Sequence, residues 1–387
     1  MKILMISPTY PPRTGGLETY IAALSQELAR IGHQVVVLTN RDDQTHPTRA
    51  TEHGVTIVRA SGLLEGNGHA NYVPWERAYF SLLTDIEELL DTAEFDVVHC
   101  HTQVALLLAH MSGLAARTPV AASFHETNPL RDPLGQKRTS FILDTCPAQA
   151  YLVGSHAFAQ QARAFGIVEA RIKVVHMGVG VREHTSHDTS RFQLREAFGI
   201  DPAKVMISLI GRFTARKEHY RLLAAHSAMR HRQGAVIVLA GSDNSTDERY
   251  LRQLRNQVNQ LDSASIHMLE NLSEADRDLL IDGSDIGTQP SRAEGLGLAV
   301  IEFMMAGVPV LVSDVAGLQE AVGGNRCALV QTDDPLFYAA ALDKLTADPV
   351  LRRRRGESMA RHARTHFSIT RAAAETLDAY SEICGAS

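Results

Sequence analysis

The stretch QPSRAEGLGLAVIEFMMAG, from Gln289 to Gly307, joins a glycine-punctuated turn to an apolar segment and places one carboxylate on each part. Pro290 ends a preceding apolar run, and Leu298 to Met305 contain neither Gly nor Pro, so the pattern predicts a helix that begins near Leu298. A helix start leaves backbone N–H groups unpaired and carries a partial positive charge. The backbone from Gly295 to Leu298 is therefore a candidate seat for a phosphate group.

The two carboxylates of this stretch, Glu294 and Glu302, are eight residues apart. If most of that span were helical, the axial rise would separate them by roughly 12 Å. That is too far for a glycosidase acid and base pair, whose carboxyl groups lie about 5 to 9.5 Å apart. The spacing suits a long ligand with an anion in its middle and hydroxyl groups at each end, such as a nucleotide sugar. A surface turn with two solvated glutamates remains an alternative on spacing alone.

Length and composition predict two domains and exclude several classes of protein. The chain has 387 residues, which is more than one hydrophobic core usually supports, and 44% of them are hydrophobic. A net charge of -6 gives no overall bias toward nucleic acid or anionic membranes. Four scattered cysteines without a CxxC pair indicate neither a disulfide framework nor a zinc site. The N-terminus MKILMISPTYPP resembles neither a signal peptide nor a membrane span, so we expect a cytoplasmic chain without stable membrane insertion or a nucleic-acid partner.

The first half begins as a strand, glycine loop, helix and second strand. An apolar run at Lys2–Ser7 precedes Gly15 and Gly16, and these glycines directly precede a helical apolar pattern and the strand QVVVLT. The glycines could bring backbone N–H groups close to a ligand. The third glycine of the GxGxxG fingerprint is missing, which disfavours a nicotinamide-dependent dehydrogenase.

Two histidines of the first half follow predicted strands. His101 ends the segment DVVHCH, and His125 follows PVAASF. Open parallel sheets bind ligands at the carboxyl ends of their strands. A single buried histidine is usually structural, but two at consecutive strand ends favour a functional site.

The second half starts again with the strand VMISLIG and a loop that contains Gly211, Arg212 and Lys217. Arg can bind two phosphate oxygens and Lys supplies a compact charge, so this loop could neutralise a diphosphate. We expect two doubly wound α/β domains that face each other across a cleft, at residues 1–184 and 185–366. A helix at 367–387 should pack on the N-terminal domain.

Six motifs together resemble the retaining glycosyltransferases of family 4, which have the GT-B fold of two Rossmann-like domains. The first three are GGLE at Gly15–Glu18, DVVHCH at Asp96–His101 and VVHMGV at Val174–Val179. The others are GRFTARKE at Gly211–Glu218, LAGS at Leu239–Ser242, and PSRAEGLGLAVIEFMMAGVPVLVSD at Pro290–Asp314. The last is the most specific, and the set spans nearly the whole chain.

The resemblance implies a role for each candidate residue of the second half. Arg212 and Lys217, beside Gly211, would bind the donor diphosphate. Glu294 would hold hydroxyls of the donor sugar, and Glu302 would hold the ribose. Backbone groups from Gly295 through Leu296 and Gly297 to Leu298 would contact sugar and phosphate.

In the first half, the resemblance implies that Gly16, next to Gly15, approaches the reaction centre and that His101 and His125 line the sugar pocket. The family often has an aromatic residue where Leu296 stands, and an Asn-Gly pair where Met177 and Gly178 stand. Such enzymes need no metal or cofactor besides the nucleotide sugar. The D-x-D at 276–278 lies in an expected helix, where residues two apart do not face each other, so we do not interpret it as a metal site.

The expected reaction is transfer of a hexose-type sugar from a UDP or GDP sugar with retention of anomeric configuration. Alternatives are a GT-B epimerase or hydrolase, and a non-catalytic nucleotide-sugar-binding subunit. The acceptor stays open between a small molecule, a lipid carrier and a glycan. Its contacts are expected from Gly62–Val73 and Thr127–Arg138, which contain no motif that identifies it.

Overall fold

A computed structural model describes residues 1–13, 15–41, 43, 45–63, 75–125, 133–180, 187–242, 248–261, 265–331 and 334–385. The expected acceptor segments fall largely outside these ranges, at 64–74 and 126–132. The chain forms two compact units. Unit 1 comprises Met1–Gly180 and Phe367–Ser387, and unit 2 comprises Val181–His366.

Unit 1 is built on an eight-stranded sheet in the order β3-β4-β2-β1-β5-β6-β7-β8, parallel except for the antiparallel β3–β4 pair. The strands are β1 (Lys2–Ile6), β2 (Gln34–Arg41), β3 (Arg49–Glu52), β4 (Val55–Leu63), β5 (Val97–Cys100), β6 (Val120–Phe124), β7 (Ala150–Val153) and β8 (Ile172–Val174). Strand β1 reads KILMI because both of its faces are covered, and Ile3 to Ile6 are completely buried.

The helices of unit 1 follow the strands as crossover connections, which a parallel sheet requires. They are α1 (Gly16–Arg30), α2 (Trp75–Thr92), α3 (Gln103–Met111), α4 (Pro133–Thr145) and α5 (His156–Ala164). Helix α3 begins after Thr102 and α5 after Ser155, because each of these side chains accepts a hydrogen bond from a first-turn backbone N–H.

Unit 2 contains a parallel six-stranded sheet in the order β11-β10-β9-β12-β13-β14. Its strands are β9 (Val205–Ile210), β10 (Ala235–Gly241), β11 (Ile266–Glu270), β12 (Ile286–Gln289), β13 (Val310–Ser313) and β14 (Leu329–Val330). Its helices are α6 (His187–Phe198), α7 (His219–Ala228), α8 (Glu248–Asn259), α9 (Glu274–Gly283), α10 (Leu298–Met305), α11 (Ala316–Ala321), α12 (Pro335–Ala347) and α13 (Pro349–His366).

The core of unit 2 lies on both faces of this sheet. Alternate residues of β9 point to opposite faces, so Ile207 joins one apolar cluster with α7, α8 and α12, and Met206 joins another with α6, α9, α10 and α13. At the amino end of the sheet, the buried Arg195 donates to Asp285 at 2.9 Å, and the backbone N–H of Met206 donates to the same carboxylate oxygen at 2.8 Å. These bonds fasten α6 to the strands that carry the candidate site.

The last helix, α14 (Ile369–Gly385), belongs to unit 1. The Val179 N–H donates to the Phe367 carbonyl at 2.8 Å, and the Ile369 N–H donates back to the Val179 carbonyl at 3.1 Å. Thr370 also donates to Glu27 of α1 at 2.7 Å. The first division between the units falls after Gly180, four residues before the expected position, and the second falls after His366.

The predicted class of fold is confirmed, because both units are Rossmann-like α/β domains with parallel sheets. The predicted helix start at Leu298 is also confirmed, since α10 begins at that residue. None of the helices within the described ranges is both long enough and apolar enough to cross a membrane.

Candidate functional site

In each unit, the candidate residues lie where the order of strands reverses. In unit 2 that point is between β9 and β12, and in unit 1 it is between β1 and β5. The loops that follow two such neighbouring strands diverge to opposite faces of the sheet and leave a crevice at the carboxyl edge. The loop 211–218 follows β9, and the turn 290–297 follows β12. The Gly15–Gly16 loop follows β1, and His101 follows β5.

A buried ion pair lies at the centre of the unit 2 site. Lys217 Nζ is 2.7 Å from Glu294 Oε1, and these side chains are only 12% and 6% exposed. Arg216 Nη1 lies 3.6 Å from the other Glu294 oxygen, and Ser291 Oγ donates to Oε1 at 2.8 Å. Gln289 in turn donates to Ser291 Oγ at 2.8 Å. The Glu294 carboxylate is therefore held from two sides by groups that the sequence analysis did not identify.

The charges at this site shift the pKa values of both partners. Burial alone would raise the pKa of Glu294, but Lys217 and Arg216 outweigh it and hold that pKa below its usual value. Burial lowers the pKa of Lys217, and repulsion from Arg216 and Arg212 adds to that effect against the attraction of Glu294. The lowered pKa of Lys217 is therefore caused mainly by burial, and the nearby Glu294 carboxylate works against it.

The two loops of the unit 2 site contain more basic than acidic side chains. Residues 211–221 and 289–297 contain five basic side chains, at Arg212, Arg216, Lys217, Arg221 and Arg292, against two carboxylates, Glu218 and Glu294. Arg212 is exposed. The arrangement can attract a multiply charged anion, because two carboxylates do not neutralise five basic side chains.

Two glycines suit the geometry of this site. The Lys217 side chain lies against Gly211, where an added Cβ would come within 3.0 Å of Lys217 Cε. Gly297 has φ 82 and ψ 62 immediately before α10, a left-handed conformation that favours glycine. No side chain of the described chain caps α10 there, and the N–H groups of Val300 and Ile301 donate to the Gly297 carbonyl, which leaves those of Leu298 and Ala299 as the candidate contacts for a ligand. Leu296 is 1% exposed, so its side chain is packed inside unit 2.

Glu302 lies on α10 with a side chain only 5% exposed, and its Oε2 accepts a hydrogen bond from Arg277 Nη2. Arg277 belongs to the D-x-D segment at 276–278, which was not interpreted as a metal site because it was expected to be helical. The segment is helical, as expected. Residues 294–297 precede the helix, so the axial rise assumed for the Glu294–Glu302 spacing does not apply. The basic partner of Glu302 was not predicted, because Arg277 is 25 residues away in sequence.

Unit 1 contains a cluster of histidines instead of an ion pair. The rings of His101 and His125 are stacked, with centroids 5.9 Å apart and planes 10° apart, and His99 lies 4.0 Å from His101. His99 is hydrogen-bonded to Tyr380 of α14 and to Ser123, at 2.7 Å each. The ring nitrogens of His101 and His125 are buried and have no hydrogen-bond partner among the described residues.

Burial makes these histidines poor bases. It lowers the pKa of His99 to about 3 and that of His125 to about 4, and it lowers the pKa of His101 well below the usual value, with His99 and His125 adding repulsion. All three rings are neutral at physiological pH. The ring nitrogens of a neutral histidine can donate and accept hydrogen bonds with hydroxyl groups, but they provide no positive charge to bind an anion.

The glycine loop of unit 1, which was expected to approach a ligand, is poorly suited to a phosphate. Gly15 precedes α1 and Gly16 is its first residue, but Glu18 places a carboxylate in the first turn. That carboxylate lies against Gly15, so closely that a Cβ at residue 15 would be 3.1 Å from Glu18 Cδ. A negative charge there opposes the helix dipole for an incoming anion and favours a hydroxyl-bearing ligand.

Comparisons with known proteins identify the class. Residues 14–183 match the model described as Glycosyltransferase Family 4, and residues 190–362 match the model described as Glycosyl transferases group 1. With the fold already described, these two matches make the chain a glycosyltransferase of the GT-B fold.

Several individual proteins are similar over nearly their whole length. An uncharacterized glycosyltransferase of Methanocaldococcus jannaschii is 26% identical, with 90% of each chain covered. The D-inositol 3-phosphate glycosyltransferase of Xylanimonas cellulosilytica is 27% identical over 97% of this chain and 94% of the relative. Among solved structures, sucrose-phosphate synthase from Thermosynechococcus elongatus has a TM-score of 0.79 at 18% identity, with complete coverage of both chains. Anabaena HepE in complex with UDP-glucose has a TM-score of 0.78 at 16% identity, covering 99% of this chain and 100% of HepE.

Proposed function

We propose that this glycosyltransferase moves a hexose-type sugar from a UDP or GDP sugar to an acceptor nucleophile and retains the anomeric configuration. The observation that carries the donor assignment is the surplus of basic over acidic side chains in the two loops around Lys217, whose ion pair with Glu294 is largely buried. A nucleoside diphosphate would neutralise this surplus at the crevice between β9 and β12. HepE, which has the same fold, was solved with UDP-glucose, and this supports a donor of that type.

The donor would lie along the turn from Gly295 to Leu298. Arg212 and Lys217 would bind the diphosphate together with the first N–H groups of α10. Glu294 would accept hydrogen bonds from the sugar hydroxyls, and Glu302, oriented by Arg277, would accept them from the ribose. The roles expected for Gly15, Gly16, His101 and His125 toward the sugar stay predictions.

In the proposed reaction, the bond from the sugar C1 to the β-phosphate oxygen breaks, and the acceptor oxygen bonds to C1 on the same face. The acceptor proton passes to the departing phosphate, and a nucleoside diphosphate leaves. Lys217 and Arg212 would stabilise the negative charge that grows on this leaving group. We infer that these cations take the place of a metal ion, so turnover should persist in excess EDTA.

The function can be tested with purified protein and a panel of nucleotide sugars. Donors that raise the midpoint of thermal unfolding are then incubated with acceptors, and products are detected by mass spectrometry. Inositol phosphates belong in the acceptor panel, because similar proteins are named D-inositol 3-phosphate glycosyltransferases. The configuration of the new glycosidic bond, measured by NMR, tests retention.

Other outcomes correspond to other functions. Release of free nucleotide without acceptor, at the rate seen with acceptor, would indicate a hydrolase or an epimerase. Donor binding without any turnover would indicate a non-catalytic binding subunit. Failure to bind every nucleotide sugar would contradict the proposal.

A further inference from the structure

Glu218 follows Lys217 directly and has a backbone conformation that glutamate rarely adopts. Its φ of 55 and ψ of 41 lie in the left-handed region, immediately before α7. His53 and Asn271 are the other non-glycine residues with positive φ within the described ranges. This conformation is strained for a residue with a Cβ, whereas glycine adopts it without penalty. Glu218 ends the 3-10 turn Ala215–Lys217 in this conformation, and its side chain makes contacts that a glycine would lack.

The Glu218 carboxylate joins the two loops of the donor site. Arg292 Nε lies 2.5 Å from Glu218 Oε1, and Arg221 Nη2 lies 3.6 Å from Oε2. The Glu218 side chain is 14% exposed, so one end of this bridge is largely shielded from water. Arg292 is two residues before Glu294, and Glu218 is one residue after Lys217.

Two further bonds lie beside this bridge. The backbone N–H of Arg292 donates to the Arg216 carbonyl at 3.0 Å, and Arg216 Nη1 donates to the Ala293 carbonyl at 3.2 Å. We call the Glu218–Arg292 ion pair, together with these two bonds, the loop clasp. It fixes the distance between the loop that carries Lys217 and the turn that carries Glu294.

We propose that Glu218 and Arg292 are positioning residues that hold Lys217 and Glu294 in register for the donor. This inference rests on the proposed function, because it assigns the clasp to the same donor site. In the left-handed conformation the Glu218 carboxylate lies against Arg292, and the backbone strain accompanies that orientation of the side chain. A small displacement of a charged group can lower a reaction rate far more than it changes stability.

A purely structural role gives a different expectation. The Arg292 side chain is 67% exposed, and ion pairs with one exposed partner contribute little to stability. If the clasp only stabilised the fold, its loss would leave the kinetic constants unchanged at a temperature where the protein stays folded.

The test compares Glu218→Gln, Arg292→Gln and the double variant with wild type. Glu218→Gln keeps the side-chain shape and the left-handed strain and removes only the charge. We expect each single variant to lower kcat/KM for transfer about tenfold, mainly through kcat. The double variant should lose no more than the worse single variant, because both changes break the same pair.

Glu218→Gly separates strain from positioning. Glycine relieves the left-handed strain but makes the unfolded chain more flexible, so the net change in Tm should be small. His53→Gly is the matched control, because His53 has φ 49 on the exposed β3–β4 turn of unit 1. We expect similar changes in Tm for both glycine variants, and a loss of kcat/KM for Glu218→Gly alone.

A second measurement is independent of catalysis. Hydrogen exchange of the Arg292 amide reports the backbone bond to Arg216, and we expect it to quicken about fivefold in Glu218→Gln. If the Arg292 amide exchanges faster in Glu218→Gln but the wild-type protein turns over no donor, the loop clasp is supported and the proposed function is contradicted. Unchanged kcat/KM in Glu218→Gln and Glu218→Gly, with an active wild type, would overturn the positioning role.

Discussion

The two units place candidate residues at equivalent points of their sheets but give them opposite electrical states. In unit 2, Lys217 and Glu294 are buried, charged and 2.7 Å apart. In unit 1, the ring nitrogens of His101 and His125 are buried, and these rings are neutral and without hydrogen-bond partners among the described residues. A buried charge must be paired, whereas a buried imidazole can lose its proton instead. The first arrangement is therefore suited to an anion and the second to uncharged hydroxyl groups.

The largest effect is expected from Lys217→Ala, which removes the positive half of the pair and leaves the Glu294 carboxylate buried beside Arg216. Because Lys217 would no longer stabilise the negative charge of the leaving group, kcat/KM for transfer should fall about 100- to 1000-fold. Steady-state kinetics with released nucleotide as the readout would measure the loss. Lys344→Ala on the exposed side of α12 is the control, and equal losses in the two variants would remove Lys217 from the diphosphate role.

Glu294→Gln tests the negative half of the same pair. The amide keeps the shape but donates where the carboxylate accepted, so we expect kcat/KM to fall about 10- to 100-fold, the usual range for hydrogen bonds to charged groups. Glu196→Gln on the exposed face of α6 serves as the control. With a donor that lacks the sugar hydroxyl bound by Glu294, the ratio of kcat/KM between wild type and variant should become smaller. If the ratio is unchanged for every deoxy donor, Glu294 does not bind the sugar hydroxyls.

A smaller effect is expected from His101→Gln in unit 1. Loss of a neutral hydrogen-bonding group should lower kcat/KM about 3- to 10-fold. Ionic strength discriminates between the two units, because salt screens charge and hardly affects a neutral contact. The penalty of His101→Gln should therefore stay constant as salt is raised, whereas that of Lys217→Ala should shrink. A salt-dependent penalty at His101 would break the contrast between the units.

The smallest expected effect concerns the dependence of stability on pH. The folded-state pKa values of His99 and His125, about 3 and about 4, lie below the value of about 6.5 in an unfolded chain. The unfolded state therefore binds more protons between these values, and the free energy of unfolding should fall as pH is lowered from 6.5 toward 4. Each such histidine contributes a slope of at most about 1.4 kcal/mol per pH unit.

Urea unfolding at several pH values would measure this slope. Burial also lowers the pKa of His101 strongly, so His101→Gln should make the curve shallower by about one proton. A His101→Gln curve parallel to that of wild type would show that His101 is not kept neutral by the fold.

The pattern of the sequence was sufficient for local features of the site. Gly297 and the apolar segment after it predict the start of α10 at Leu298, because the turn and the first helical residues are adjacent in the chain. Arg212 and Lys217 were recognised because they follow a buried strand within a few residues. The partners Arg216, Arg277 and Arg292 were not recognised, since an exposed arginine and an arginine that holds a carboxylate look the same in sequence.

The sequence by itself determined two doubly wound α/β domains, the helix starts and the strand ends from which the candidate side chains project, because periodicity and glycine placement are properties of neighbouring residues. Only the tertiary structure decided the electrical state of each site. Arg216, next to Lys217, contacts Ala293, next to Glu294, although 77 residues separate the two in sequence. His99 contacts Tyr380 across 281 residues. Burial and pairing set whether a side chain is charged, and both depend on residues that only the folded chain brings together.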